Sequence, residues 1–218
     1  MSSSTKVPLT ETNKGPVTQT KSSLETLVKN LENTKDSKNK NNASGAPVHL
    51  WNPDYCGELE LTIEEDGTWT YNKTPIGREK LVNLFATVIK REEGKYYLVT
   101  PVEKMLITVI DAPFIAIEMD VTNKDGQQII SFVTNVGDHI EVSGENPLRF
   151  PKQTNEETLK PYVKIRHEGE NKLEAKLSRS VYYELANYIE THTLEGTEYY
   201  GVWSHGTFFK IEEKSNCP

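Results

Sequence analysis

The 218-residue chain has 25 Lys and Arg residues against 32 Asp and Glu residues, a formal net charge of −7 at pH 7. Hydrophobic residues make up 35% of it, below the roughly 45–50% of an average globular composition, so part of the chain is predicted to stay unfolded. The first 46 residues hold seven Lys and four acidic residues, which leaves the remainder at a net charge of −10. Such an acidic body repels phosphate backbones, so nonspecific nucleic-acid binding is disfavoured.

No segment of the sequence is typical of secretion or of a membrane span, because the longest apolar stretch, 105–119, is interrupted by Asp111 and Pro113. The two cysteines, Cys56 and Cys217, do not suggest a structural disulfide, since the second lies one residue from the C-terminus. Cysteine and histidine spacings do not match a metal site, and no motif indicates a cofactor. We therefore expect a cytoplasmic protein without metal or cofactor.

Residues 1–46 are dominated by Ser, Thr, Asn and Lys, and we predict that most of this basic tail is disordered. A short helix is expected near 22–33, where four apolar residues recur at helical spacing and Ser22 with Glu25 forms a capping box. The helix is interpreted as one that docks on the body or frays; a partner-recruiting helix is the alternative.

From residue 47 onward the pattern changes to short strands separated by turns, with two amphipathic helices. In chain order, the pattern predicts a hairpin of 58–63 and 68–71, a helix over 78–90, strands over 96–100, 105–109 and 114–121, a turn at 123–126 into a strand over 127–134, strands over 162–166 and 172–177, a helix over 179–191, and a closing hairpin of 198–203 and 207–211. This is an α+β fold with an N-terminal β/α half over 47–104 and a C-terminal, β-rich half with one helix over 105–218.

The two predicted helices look like copies of one unit. Arg78 and Arg179 each begin a series with apolar residues at offsets 3, 6, 7 and 10, and each series is followed by a strand with two adjacent tyrosines. Coincidence is one explanation. Duplication of a β-hairpin, helix and β-hairpin unit is the other, and it predicts a ligand site in the groove between two similar halves.

Four segments carry the candidate site residues. Helix starts bind anions, so Arg78 beside Thr74 is one candidate, against an ordinary helix start. Two aromatics and an amide around one proline could wrap a flat ring or seal the domain edge, which makes Trp51 and Asn52 candidates. The loops 100–104 and 134–138 follow apolar strands, where scaffolds display functional groups, although solvated turns are the alternative. Their candidate residues are Thr100, Glu103, Lys104, Asn135 and Asp138.

A nucleophilic Cys56 activated by His49 is also conceivable, but nothing in the spacing lowers the thiol pKa, so a small buried residue is the simpler interpretation.

Several of these motifs together resemble a bacterial family known as domain of unknown function 1285. The motifs are Pro47-Val48-His49-Leu50-Trp51-Asn52-Pro53 with Cys56-Gly57, Asp66-Gly67-Thr68-Trp69, Thr74-Pro75-Ile76-Gly77-Arg78, Leu98-Val99-Thr100-Pro101-Val102-Glu103-Lys104, Asp111-Ala112-Pro113-Phe114 and Thr134-Asn135-Val136-Gly137-Asp138, with a weaker likeness through Gly201-Val202-Trp203-Ser204. The resemblance covers roughly 47–211 and departs from the pattern between Lys152 and Leu173. It implies a duplicated, β-rich architecture, a C-terminal half superficially similar to pleckstrin-homology domains, and a ligand site between the halves for a nucleotide-like molecule in signalling. It implies no catalytic residue.

Three functions compete. The first is a binding or sensing module for a small anion with a flat ring, in which Arg78 and Lys104 neutralise phosphate, Trp51 stacks on a base, and Asn52 or Asn135 reads its polar edge. The second is a protein-interaction scaffold without a small ligand. The third is a hydrolase acting through Glu103 or Asp138, which needs a carboxylate of raised pKa in a closed pocket. We expect a binding protein and not an enzyme, with a nucleotide-like molecule or another protein as its partner.

Overall fold

A computed structural model describes residues 24–34, 46–151, 159–166 and 171–214. The predicted helix near 22–33 is present as α1, Leu24–Thr34, and it buries Leu27 and Leu31 in the core of the body. Of the rest of the predicted disordered tail only Ala46 is described, with its amide donating to the carbonyl of Thr87 at 3.0 Å, and the remainder lies outside the described residues. None of the described helices is long and apolar enough to cross a membrane.

The first sheet has six strands in the order β3-β2-β1-β6-β5-β4, and β1 and β6 pair in parallel. A short 3-10 turn, Val48–Leu50, leads into it. Its elements are β1 Tyr55–Ile63, β2 Trp69–Tyr71, β3 Thr74–Pro75, α2 Glu79–Ala86, β4 Ile89–Glu92, β5 Lys95–Val99 and β6 Lys104–Val109. The predicted boundary between the N-terminal and C-terminal halves, after Lys104, falls at the first residue of β6, and it stays a prediction.

The second sheet also has six strands, in the order β10-β11-β12-β7-β8-β9, with β12 parallel to β7. Its strands are β7 Phe114–Lys124, β8 Gln127–Thr134, β9 His139–Glu141, β10 Leu148–Arg149, β11 Tyr162–Arg166 and β12 Leu173–Leu177. The helix α3, Arg179–Ala186, then leads to a third sheet of β13 Glu190–Leu194, β14 Thr197–Ser204 and β15 Thr207–Glu213.

The strands follow the alternation of the sequence. In β1, Leu59, Leu61 and Ile63 are buried and pack in the core, while the polar residues between them, Glu60 and Thr62, are more exposed. The predicted turn between β7 and β8 has Asp125 and Gly126 at φ 53° and 80°, the left-handed pair that a tight two-residue hairpin requires. One hydrophobic core connects all three sheets.

The α+β fold is confirmed, but both long helices end earlier than predicted. α2 stops at Ala86 and not Lys90, because the Thr87 hydroxyl donates to the carbonyl of Leu84 at 2.7 Å and Ile89 already pairs with Leu98. α3 stops at Ala186 and not Thr191, where the Asn187 side chain donates to the carbonyl of Glu184 at 3.2 Å. Residues after the observed helix ends fit a helical face equally well, but in the structure they form strands because they pair with neighbouring strands.

The two six-stranded sheets resemble duplicated halves, as the paired helices predicted. In each half an eight-residue helix is followed by a three-stranded antiparallel meander, β4-β5-β6 after α2 and β13-β14-β15 after α3. Both meanders make their first turn with Glu-Gly in the left-handed region, at Glu93-Gly94 and Glu195-Gly196. The helix starts align Arg78 with Ser178, one residue away from the alignment with Arg179 that the spacing indicated.

Candidate functional site

The second sheet turns a charged face toward the first half of the protein. In β11 and β12, Tyr162 lies opposite Lys176 and Lys164 lies opposite Glu174, so these four side chains share one face. Tyr162, Lys164 and Glu174 are nevertheless buried. Because buried charges are costly unless they are paired, these groups require partners close by.

The Glu174 carboxylate is bound by two cations. Arg149 donates to both of its oxygens, with Nε at 2.6 Å and Nη2 at 2.8 Å, and the Lys172 Nζ lies 3.1 Å away. Burial raises the pKa of Glu174, but the hydrogen bonds from Arg149 and Lys172 outweigh burial and the net shift is downward. The Arg149 guanidinium also lies 4.5 Å from the centre of the Tyr162 ring. The side chain of Arg149 stays 41% exposed, so this cation is accessible to solvent.

Asp111, two residues after the end of β6 of the first sheet, joins this group. The Tyr162 hydroxyl donates to Asp111 Oδ1 at 2.7 Å, and the Lys176 Nζ lies 3.0 Å from Asp111 Oδ2. Lys176 also donates to the carbonyl of Glu65 at 2.8 Å. Burial, followed by the hydrogen bond to Asp111, strongly raises the pKa of Tyr162. The phenol therefore stays a neutral hydrogen-bond donor.

Arg91 and Tyr96, from β4 and β5, complete the group from the first half. The Arg91 guanidinium lies 5.4 Å from the centre of the Tyr96 ring, and its Nε is buried without a hydrogen-bond partner in the described parts of the chain. Burial raises the pKa of Tyr96, Arg91 opposes that shift, and Glu174, Asp111 and Arg149 are near enough to contribute. The seam cluster, as we name this group, consists of Arg91, Tyr96, Asp111, Arg149, Tyr162, Glu174 and Lys176.

A second contact between the halves is made by Arg166. A bulge after Lys164 places Arg166 opposite Leu173, and its guanidinium lies 5.1 Å from the centre of the Phe114 ring. Its Nη2 donates to the carbonyl of Ala86 at the end of α2. Burial raises the pKa of Asp138, and the charge of Arg166 partly opposes this shift.

The predicted residue Asn135 also connects the halves. Its side chain accepts a hydrogen bond from the Ile115 amide at 3.0 Å and donates to the carbonyl of Gly67 at 3.4 Å. The predicted loops share one design, because the hydroxyls of Thr100 and Thr134 accept from the amides of Glu103 and Asp138, each at 3.0 Å. Both threonines are buried.

Two predicted residues meet around Glu92 in the first sheet. The Glu92 carboxylate lies 2.7 Å from Lys90 Nζ and 3.0 Å from Lys104 Nζ, and Lys90 also donates to the carbonyl of Trp51 at 3.3 Å. Lys104 lies 5.3 Å from the centre of the Tyr97 ring. Lys90 and Glu92 thus connect the backbone carbonyl of Trp51 to the Lys104 side chain, while Asn52 is exposed beside Trp51.

Arg78 is placed elsewhere. It is the exposed N-cap residue of α2, without a capping hydrogen bond from its side chain, and it follows β3 at the opposite edge of the first sheet from β4. The predicted residues therefore do not form one cluster.

The sequence reasoning missed all seven residues of the seam cluster. A signal was present, because Tyr162, Lys164, Glu174 and Lys176 alternate with apolar residues along β11 and β12. Such alternation normally indicates a solvated face, and only the packing of the halves shows that this face is covered. Within the described residues, no group of three or more His, Cys, Asp or Glu side chains could hold a metal ion.

Two family models match the chain in succession. Residues 46–112 match the N-terminal domain of DUF1285, a domain of unknown function, and residues 113–211 match its C-terminal domain. The chain belongs to the DUF1285 family. The resemblance found in the sequence motifs is therefore confirmed.

Crystal structures of two DUF1285 proteins are similar to this chain. A protein from Silicibacter pomeroyi shares 39% identity, with a TM-score of 0.70 over 84% of this chain and 94% of that chain. A protein from Shewanella baltica shares 26% identity, with a TM-score of 0.46 over 59% of this chain and 91% of that chain. No curated protein matches the sequence.

Proposed function

We propose that this DUF1285 protein is a cytoplasmic module of signal transduction that binds or senses a small, nucleotide-like anion at the seam cluster. The observation that carries the proposal is the Arg91 Nε–H, a buried donor without a hydrogen-bond partner in the described chain, beside the Tyr96 ring. Native proteins leave few buried donors unpaired, and a bound ligand is one reason for an exception.

The charge of the seam supports an anion. The seam cluster holds three cations, Arg91, Arg149 and Lys176, against two carboxylates, those of Asp111 and Glu174. This local excess of positive charge occurs in a chain of net charge −7. Long-range attraction would not bring an anion to this protein, so recognition depends on guanidinium groups at short range.

The aromatic groups of the seam support a flat ring. Tyr96 and Tyr162 each lie beside a guanidinium; a phenol of ordinary pKa 10.0 is already neutral at pH 7, and burial raises the pKa of both further. Neutral phenols combine an apolar ring face with one hydrogen-bond donor, which suits a base or a similar heterocycle. The cluster takes residues from both halves, so a ligand bound there stabilises their association and gives a physical basis for sensing.

The test is a thermal-shift screen with AMP, adenosine and inorganic phosphate, followed by calorimetric titration of wild type and variants. A ligand that binds only the native state raises the melting temperature. We expect AMP to give the largest shift and Arg91→Gln to weaken its binding by about 10-fold or more. Arg179→Gln is the matched control, because Arg179 makes a similar contact with Tyr183, at 5.5 Å, on the protein surface.

The sequence-predicted residues form a second arm of the same experiment. If the ligand instead uses the face around Glu92 or the α2 start, Lys104→Gln or Arg78→Gln will weaken AMP binding while Arg91→Gln will not. That outcome moves the site away from the seam. Equal affinity of all four variants and wild type, or no shift with any of the three probes, would contradict the proposed function itself.

A further inference from the structure

The third sheet has one face packed in the core and one face turned outward. Val202, Phe209 and Ile211 are buried on the inner side. Strand register places five residues with aromatic or cationic side chains on the outer side. They are His192, Tyr199, Trp203, Phe208 and Lys210, and we call this set the outer face.

The outer face is an aromatic surface with a cation at its side. The ring centres of His192, Trp203 and Phe208 lie 4.9 to 5.2 Å apart, and Lys210 Nζ lies 4.4 Å from the centre of the Tyr199 ring. Gly201 makes this packing possible, because a Cβ at that position would collide with the Phe208 ring. The three clustered rings remain partly exposed. Among the described residues, no carboxylate forms an ion pair with Lys210.

The first half of the protein contains the same arrangement with an anion already in place. In both meanders a lysine of the third strand lies over a tyrosine of the second, Lys104 over Tyr97 and Lys210 over Tyr199. In the first half the Glu92 carboxylate lies between Lys104 Nζ, at 3.0 Å, and Lys90 Nζ, at 2.7 Å.

Aligning the Glu-Gly turns shows what the second half has in these positions. Glu92 and Leu194 each directly precede the turn, so Leu194 replaces the carboxylate. Lys90 pairs with Tyr97 as His192 pairs with Tyr199, so His192 replaces the second basic residue. The outer face thus keeps two basic groups and lacks the internal acid that they bind in the first half.

We infer that the outer face is a second binding site, separate from the seam cluster, for a planar aromatic ring that carries one carboxylate or phosphate group. The anionic group takes the position of the Glu92 carboxylate, between Lys210 and His192, and the ring packs on Trp203 and Phe208. Residues 190–213 contain five Glu and one Lys, and strand register places Glu190 and Glu213 on the same side of the sheet as the five residues of the outer face. This acidic rim repels polyanions, so the site selects a small ligand and excludes nucleic acid.

The experiment follows the indole N–H signal of Trp203 by NMR, assigned with Trp203→Phe, during titration of the full chain. The probes are 2-naphthoate, 2-naphthyl phosphate, the uncharged 2-naphthalenemethanol and acetate. We expect both naphthyl anions to shift the signal and the other two probes to bind at least about 10-fold more weakly. The carboxylate and phosphate arms show which anionic group the site prefers.

The decisive variant places a carboxylate at Leu194, the position equivalent to Glu92 in the first half. Leu194→Glu should weaken 2-naphthoate binding by about 10-fold or more, whereas Leu194→Gln, which loses the same apolar side chain without adding charge, should bind as wild type does. Lys210→Gln should also weaken binding. Because Leu194 is at the end of a strand beside an exposed turn, circular dichroism should show all three variants folded.

Several results would overturn the site. One is equal binding of 2-naphthoate by Leu194→Glu and wild type, and another is equal binding of 2-naphthoate and 2-naphthalenemethanol by wild type. The third is a Trp203 signal that changes with protein concentration alone, because this would mean that a second copy covers the outer face. Arg91→Gln separates this proposal from the seam, because it should leave the Trp203 titration unchanged whether or not AMP binds at the seam.

Discussion

At the scale of single residues, the two carboxylates of the seam cluster, Asp111 and Glu174, are largely shielded from solvent and each has a cationic partner. Glu174 is the clearest case, since its side chain is 10% exposed and is held by Arg149 and Lys172. Removing one member of such a pair leaves a buried charge and is far more damaging than the net contribution of the pair suggests. Single variants at these positions therefore report on the charged face of the second sheet, because Arg149, Lys172 and Glu174 all lie in or beside its strands.

Replacing Arg149 with Met should lower the free energy of unfolding by about 1–3 kcal/mol at pH 7, less than for a fully buried pair because Arg149 is partly exposed. The variant should also be less sensitive to acid. Folding lowers the pKa of Glu174 below its ordinary value of 4.5, so its stabilising contribution is present above pH 4.5 and is lost as the pH falls further. Urea unfolding at pH 7 and pH 4 measures both effects, with Arg179→Met as the exposed control. An equal loss of stability in both variants would contradict the role of the seam.

At Tyr162 we expect a pH-dependent change of stability at high pH. Folding raises the pKa of its phenol above the ordinary value of 10.0, so its contribution is complete below pH 10 and is lost as the pH rises further. Tyr162→Phe removes the hydrogen bond to Asp111 and should cost about 1–3 kcal/mol at pH 7. Between pH 10 and 11 the difference from wild type should shrink. Tyr183→Phe, at an exposed tyrosine, is the control and should change the free energy of unfolding at pH 7 by about 0.5 kcal/mol or less.

At the scale of elements, the turn between β1 and β2 is a contact point as well as a connection. Gly67 has φ 84°, is buried, and lies against Ile115 and Asn135 of the second half. A Cβ there would be 2.6 Å from Ile115 Cγ1 and 3.0 Å from Asn135 Nδ2. Both the backbone conformation and the close approach require glycine.

Gly67→Ala should therefore destabilise the protein more than Gly94→Ala does. Gly94 has a similar φ of 78°, but a Cβ added to it would have no atom within 4 Å, so it isolates the backbone cost from the steric clash. We expect an additional loss of about 1–3 kcal/mol for Gly67→Ala, measured by urea unfolding. Similar losses at the two glycines would mean that the turn does not press on the second half.

Element types were largely predictable because they depend on local patterns. The alternation in β1, the Asp125-Gly126 turn and the starts of α2 and α3 are all visible in the sequence. Helix ends were not, since residues such as Ile89 fit a helical face and become strand only through pairing with Leu98. The seam cluster was missed for a related reason: whether a charged strand face meets solvent or another sheet depends on packing over long range.

At the scale of the whole molecule, the two halves are joined by polar contacts as well as by the common core. The seam cluster contributes one set, Asn135 with Gly67 a second, and Arg166 with Ala86 a third. Polar contacts of this kind specify how two surfaces align, because a shifted arrangement would leave buried groups unpaired. The arrangement of the halves should thus be uniquely defined.

Arg166 offers the sharpest test of this coupling, because it belongs to the second half and donates to the last carbonyl of α2 in the first. Arg166→Met removes that donor and takes the positive charge of Arg166 away from the partly buried carboxylate of Asp138, so we expect a loss of about 3 kcal/mol. Adding Asp138→Asn removes the uncompensated charge and should recover at least about 1 kcal/mol, whereas independent sites would give additive losses. Hydrogen exchange should become faster in the last turn of α2, on the other side of the seam from the substitution. Unchanged exchange in α2, or additive losses in the double variant, would mean that Arg166 stabilises only its own half.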